Sequence, residues 1–294
     1  MNVSWWLLIS AEGSRPPHPH PLPQGARGRK FQISIFCGFL LAVVSVPVLG
    51  VSTSRTIQVN ADVVTARDGG QTLEARGHVV ITDGRLTIRA DLAHYDRTSR
   101  QIRLNGNVRI TTPQGDLTAG EAAAQLTREG ALAALQASMG VNLQSAGRTL
   151  KANRVAYQAK DDTLTATGNV VVTFPPDLVA TGGALVAKGT DVVTVTGRPR
   201  IRNRDGFIEG DRLEVVAHTQ IAFVRGNVVS VFEETRITAA TAALLVKENK
   251  AIFRDKVSVT RPGRTMTAEL VTYYYRERRL VAEGKTTIRI QGPP

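Results

Sequence analysis

A twenty-nine-residue spacing runs through this chain and constrains its fold more than any other feature. With the glycine of Gly106-Asn107-Val108 as position zero, equivalent residues stand at Gly77, Gly106, Met139, Gly168, Gly197, Gly226, Asp255 and Gly284. Successive separations are 29, 33, 29, 29, 29, 29 and 29, and the four extra residues fit a turn around Leu126–Ala133. Self-similarity at such a period marks one supersecondary unit repeated along the chain. The tripeptide recurs at Gly168-Asn169-Val170 and Gly226-Asn227-Val228. It is therefore one position in an eight-fold register, not a ligand loop used three times.

Each unit reads as two strands. Apolar or small residues take every second place around position zero, as in Leu73, Ala75, Gly77, Val79, Ile81 and in Leu164, Ala166, Gly168, Val170, Val172. Period-two alternation predicts a strand with one buried face. Turn sequences such as "TPQGD", "FPPD" and "RPGR" follow, and a second strand comes after each. Its apolar positions include Ile88, Leu117, Leu150, Val179, Ile208, Ile237 and Met266. The apolar step then lengthens from two to three, which predicts a bulge or bend at Asp91, Asn153, Asp211 and Glu269. "TIQVNADVV" (Thr56–Val64) and "LVAEGKTTIRI" (Leu280–Ile290) each supply a half-unit, so the count is sixteen strands. The expectation is one all-β domain over residues 56–290, an open, twisted β-jellyroll of about sixteen antiparallel strands.

The first 55 residues are different in kind. Residues 1–30 hold a Pro-rich tract, "RPPHPHPLPQGARGRK", expected to be extended and disordered, and its start codon is open to question. His18 and His20 within it lack further ligands for a closed metal site. Arg27, Arg29 and Lys30 then precede the uncharged run Phe31–Gly50. A basic flank before an apolar run reads as an export signal, and its length also suits a retained inner-membrane anchor; residues 31–55 are read as one or the other. Either way the repeat domain is expected to face the far side of the inner membrane. The single cysteine, Cys37, lies outside it, so the repeat domain can hold neither a disulfide nor a thiolate metal cluster.

Charge narrows the partners. Residues 1–55 hold five Lys/Arg and one acid; subtracted from 37 and 25, these leave 32 against 24, a net +8 in the exported part. A basic exported β-protein suits an anionic partner, with solubility as the plain alternative, and nothing resembles a nucleic-acid module. Catalytic signatures are missing: there is no nucleophile elbow, P-loop or zinc-protease motif, and His78, His94 and His218 fall at different repeat positions. No enzyme, cofactor or metal is expected.

Two features carry functional expectations. The inward columns are aliphatic and often small, which provides either a hydrocarbon groove or close approach of two sheets. In the groove reading the lipid-facing residues are Val79, Ile81, Ile88, Val108, Ile110, Leu117, Val141, Val170, Val172, Val179, Ile208 and Ile237. The other feature is "TGRPRIRNRDG", whose Arg198, Arg200, Arg202 and Arg204 alternate outward as phosphate-binding rim candidates or as a solvated basic strand. The half-units leave unpaired edges, with Ile57, Val59, Ala61, Thr286, Ile288 and Ile290 as partner-binding residues.

On "IQVNADVV", "LEARGHVVITDGRLTIRADLAHYD", "LTATGNVVVT" and "LKANRVAYQ", the chain from Thr56 to about Ile290 resembles the periplasmic lipopolysaccharide-transport family LptA/OstA, to which LptC and the LptD N-terminal domain are related. The resemblance implies a sixteen-stranded open jellyroll that binds lipid A acyl chains between its sheets. It also implies head-to-tail self-association and edge-strand joining to inner- and outer-membrane transport components, for outer-membrane biogenesis. An LptC-like anchored component and a structural or adhesive β-repeat protein with a filled core are the alternatives. Met139 and Asp255 depart from the repeat glycine.

Overall fold

The computed structural model describes residues 57–290 except 84, 85, 114, 146, 176, 190, 191, 217 and 218. The Pro-rich leader, the apolar run and His218 lie outside the described residues. The first segments are β1 (Gln58–Asn60), β2 (Val63–Arg67), β3 (Thr72–Thr82), β4 (Thr87–Asp96), β5 (Gln101–Thr112), β6 (Gly115–Leu126), β7 (Leu132–Ser145), β8 (Arg148–Gln158), β9 (Thr163–Phe174) and β10 (Leu178–Lys188). Then come β11 (Val192–Thr196), β12 (Arg200–Arg202), β13 (Gly206–Glu209), β14 (Arg212–Val216), β15 (Ile221–Phe232), β16 (Thr235–Leu245), β17 (Lys250–Arg261), β18 (Arg264–Tyr274), β19 (Arg279–Glu283) and β20 (Thr287–Ile290). Among the described residues only two short 3₁₀ turns, Asp68–Gly70 and Val246–Glu248, are helical.

All twenty segments join one antiparallel sheet in which each strand pairs with its chain neighbours. β1 and β2 both pair with β3, and β19 and β20 both pair with β18. Likewise β11 with β12, and β13 with β14, are strands interrupted midway. The segments therefore make sixteen strands, four of them broken at the repeat's bend, and the count and class read from the repeat hold. The four-residue insertion sits where expected, in the turn after β6 and a register shift beside it.

The bend itself has a shared backbone cause. Position zero and the residue after it are left-handed in every unit; Gly106 and Asn107 have φ of 75° and 47°, Gly226 and Asn227 74° and 47°. Two left-handed residues re-aim the strand, and one residue opposes them on the next strand: Arg76 pairs with Leu92 and Val79 with Ala90, leaving Gly77 and His78 against Asp91. The acids lie across from the left-handed pair and serve as its hydrogen-bond partner. Asn107 Nδ2 donates to Asp91 Oδ2 at 2.9 Å, and Asn227 Nδ2 to Asp211 Oδ2 at 2.9 Å. Asparagine tolerates this conformation and glycine adopts it without strain. Space demands glycine as well, since a Cβ on Gly106 would lie 2.2 Å from Asp91 Oδ2. At Met139 the roles are exchanged. Met139 keeps φ at 65°, and the opposing residue is Gly120, whose added Cβ would meet the Met139 Cβ at 2.6 Å.

The bend folds each strand double, so its two halves face one another over the core. Phe232 lies after the bend of β15 and Tyr273 after the bend of β18, in opposite halves of the sheet. Their rings are 5.1 Å apart, and Phe232 stacks on Tyr275 at 5.7 Å. Two strands, β16 and β17, lie between β15 and β18, a distance that in-plane neighbours cannot close. The contact therefore crosses the interior of an open jellyroll.

One repeat departs from the expected phase. β9 and β10 pair Phe174 with Leu178, a turn one residue longer than that between Thr112 and Gly115. Ala180, Leu185 and Ala187 are consequently the buried residues of β10, and Val179 and Val186 face outward. Val179 is therefore removed from the lipid-facing set. The connection to β11 is correspondingly shorter, so the next unit regains the register.

Candidate lipid-binding interior and strand edges

The inner face is organised in rows that cross the whole sheet. One row runs Val59, Ile81, Ile88, Ile110, Leu117, Leu143, Leu150, Val172 and then Ala180, Ile201, Ile208, Ser230, Ile237, Val259, Met266, Ile288, each residue opposite the next. Every member is apolar except Ser230, whose hydroxyl donates to the Phe207 carbonyl at 2.8 Å. The row is buried in its middle and bare at its ends, where Val59 is 41% and Ile288 59% exposed.

Beyond the bend a second row begins Val64, Ala75, Ala93, Leu104, Ala122, Ala137, Val155, Ala166 and continues Leu185, Val195, Leu213, Val224, Ala242, Phe253, Val271, Ala282. Alanine dominates its first half; larger side chains dominate its second. Burial leans the same way without a sharp division. Ile88, Ile110 and Ala119 keep 7–8% exposure and Val79, Val108, Val155 and Val170 keep 1%, whereas Ile201, Leu213, Ile237, Phe253 and Val271 keep 0%.

The predicted inward residues fall accordingly. Val79, Ile88, Val108, Ile110, Leu117, Val141, Val170, Val172, Ile208 and Ile237 are buried in the common interior, and Ile81 packs against it half-buried. Ile208 and Ile237 belong to the sealed half. The aromatic fillers Phe232, Phe253, Tyr273 and Tyr275 occupy that half. Their signal in the sequence is a cluster of Phe and Tyr in an aromatic-poor chain.

The edges stand open. The first edge exposes Ile57, Val59, Val63 and Val64, and the last exposes Ile288 and Ile290, with Thr286 also exposed and Ala61 packed against the core. At the first edge His78 Nδ1 lies 2.9 Å from Asp62 Oδ2. That hydrogen bond, reinforced by the carboxylate charge, raises the His78 pKa above its ordinary value.

The arginine stripe is split by its partners. Arg200 meets Glu209 through Nε and Nη2 at 2.9 and 2.6 Å and lies over the Phe207 ring at 4.2 Å. Arg204 pairs with Asp177 at 3.1 Å. Arg198 is the second left-handed residue of its bend, after Gly197, with φ of 58°, and Arg202 projects outward from β12. The structure thus turns two rim candidates into internal ion pairs. Arg204 and Asp177 also border a pocket of about 480 Å³ with Asp205, Glu233, Tyr275, Arg276 and Arg278. In it Arg278 joins Glu233 at 2.6 Å, linking a turn at one end of the strands to a turn at the other.

Among the described residues no group of three His, Cys, Asp or Glu side chains could hold a metal ion, and no helix is long and apolar enough to cross a membrane.

Residues 58–196 match the family described as "LptA/(LptD N-terminal domain) LPS transport protein". Among solved structures the chain is similar to LptH of Pseudomonas aeruginosa, described as the LptA homologous periplasmic component of the conserved lipopolysaccharide transport device. Identity is 18%, with 49% of this chain and 95% of that one covered and a TM-score of 0.25. No curated protein matches the chain.

Proposed function

We propose, from the match of residues 58–196 to the LptA/LptD N-terminal-domain family, that this protein is a periplasmic carrier of lipopolysaccharide between the inner and outer membranes. The observation that carries the reading is the apolar inner row that reaches both open edges, ending on the exposed Val59 and Ile288. A filled, self-contained β-protein has no reason to leave those two ends bare, because exposed apolar edges invite pairing with another chain. Docking a partner strand at each edge continues both the hydrogen-bond ladder and the apolar row.

The acyl chains lie against the first half of the interior, where alanine leaves room and Val79, Ile81, Ile88, Val108, Ile110, Leu117, Val141, Val170 and Val172 line the face. Each buried methylene contributes roughly 0.8 kcal/mol. The glycolipid's phosphates remain in water, where Arg202 and the other unpaired cations meet them. The protein acts by shielding and passing its cargo, with no bond made or broken. The filled-core alternative describes the second half of the sheet, where Ile208 and Ile237 serve packing.

Photo-crosslinking side chains at Val108 and Ile110 should capture lipopolysaccharide in living cells, and those at Arg109 and Ile237 should not. Equal capture at Arg109 would remove the groove. Adjacent residues of an edge strand alternate the direction of their N–H groups. Proline at either Val59 or Asn60, whichever points outward, should therefore abolish end-to-end association, as should proline at Ile288 or Arg289. Association unchanged by all four would remove the bridge.

A further inference from the structure

The outer face of the sheet breaks the polar-out rule in one place. Crossing the first half, one outward row reads Thr72, Asp96, Gln101, Gln125, Ala134, Gln158, Thr163. Past Lys188 the same row becomes Val192, Val216, Ile221, Leu245, four apolar residues on four adjoining strands. The row beside it supplies Phe223, Ala243 and Ile252, and Val186 lies diagonal to Val192. Val186, Val192 and Phe223 are 42%, 41% and 36% exposed. Nothing in folding asks for these side chains outside, and contiguous apolar surface on an exported protein marks an interaction site.

Charge identifies the occupant. Lys188 and Lys250 stand at the ends of the apolar row, Arg212, Arg225 and Arg254 form the next row along its flank, and Lys247 lies in the adjoining turn. The acids among them are tied: Glu214 to Arg212 at 2.8 Å and Arg225 at 3.8 Å, and Glu248 to Lys250 at 2.6 Å. Six cations thus surround the patch against two acids. A second copy seated on the same face would bring cations against cations, because a two-fold contact joins a surface to itself. An anionic bilayer offers what the face lacks, negative headgroups for the rim and an acyl boundary for Phe223 and Ile221. We infer that the outer face of β10, β11 and β14–β17 docks on an anionic phospholipid surface. This is a contact separate from the interior and the strand edges, and its β14–β17 part lies beyond the family-matched residues.

The test uses the full chain with both of its tryptophans replaced, Trp5→Phe and Trp6→Phe, and a single reporter, Phe223→Trp. Vesicles of phosphatidylcholine with phosphatidylglycerol should shift the reporter's emission to the blue, and brominated acyl chains should quench it. The same reporter at Gln136, in the polar half, should stay unshifted. Lys188→Glu with Arg254→Glu should weaken the titration at least roughly twenty-fold, each cation near an anionic surface being worth about five-fold. An unshifted reporter at position 223, or an equal shift at position 136, overturns the inference. So does an equal response to phosphatidylcholine alone. A shift that follows protein concentration without vesicles gives the face to a second copy and overturns it too.

Discussion

The strands up to β9 and those from β10 onward share one backbone plan and differ on both faces. In the first group the interior is rich in alanine and keeps some exposure, while the outer face carries Thr, Asp, Gln and Glu. In the second the interior is sealed by Phe232, Phe253 and Tyr273, and the outer face carries Val192, Val216, Ile221 and Phe223. The pairing and the left-handed bend are the same throughout, because both depend on backbone groups and on two positions per unit. Everything else on the repeat is therefore free to specialise. The first half pairs a polar outer face with an alanine-rich interior, and the second pairs an interior filled by aromatic side chains with a partly apolar outer face.

The largest expected effect tests the sealed half directly. Phe253 is fully buried, so Phe253→Ala should cost about 3–5 kcal/mol in urea unfolding. The more discriminating pair adds volume. Ala251→Leu, at a position with 0% exposure, should cost about 1–3 kcal/mol by overpacking. Ala119→Leu, at 8%, should cost less than that and should reduce lipopolysaccharide capture. Equal costs at the two alanines would erase the interior half of the comparison.

The bend should behave alike in both halves, and here the expected effects are smaller. Gly226→Ala places a side chain at φ of 74° and against Asp211, so it should cost about 1–3 kcal/mol. Met139→Gly relieves a left-handed methionine while adding freedom to the unfolded chain, and these oppose each other. Its unfolding free energy should stay within about 1 kcal/mol of the parent. A large loss at Met139 would mean that its side chain, lying over Gly120, has become part of the fold's packing.

The repeat made the strands, their antiparallel order and most of the inward residues legible, because a period-two pattern repeated eight times survives local exceptions. Val179 was misplaced because phase depends on turn length: "FPPD" adds a residue that composition does not reveal. The reading of Asp91 and Asp211 as the bend's own residues had the location right. It missed that the glycine and asparagine opposite adopt the unusual φ, a division of labour visible only once the strands are paired. The ion pairs of Arg200 and Arg204 join residues from separate segments or across a hairpin, which spacing alone does not fix. The apolar outer face was hidden for another reason. Its residues alternate correctly within each strand, and only the rows across strands show that both faces are apolar there.

The smallest effect concerns the two edges, which differ in one titratable group. At the first edge His78 ties the bend of β3 to Asp62, between β1 and β2; at the last, the equivalent place holds Lys285, 3.8 Å from Glu269. The hydrogen bond that His78 donates to Asp62, and then the carboxylate's charge, raise the His78 pKa above its ordinary value. A group whose pKa is higher in the folded state adds stability that is fully present below its unfolded value and disappears as pH rises through the folded one. The attachment of β1 and β2 should thus tighten as pH falls from about 8 to about 5.5, the range in which histidine titrates. Both side chains are largely exposed, so the change is confined to local opening of this edge. Hydrogen exchange corrected for intrinsic rates should show slower opening of the β1–β2 amides at the lower pH, with β19–β20 unchanged. Asp62→Asn should abolish the difference and lower the His78 pKa measured by NMR. An edge that opens equally at both pH values would leave the two ends of the sheet held by their backbone ladders alone.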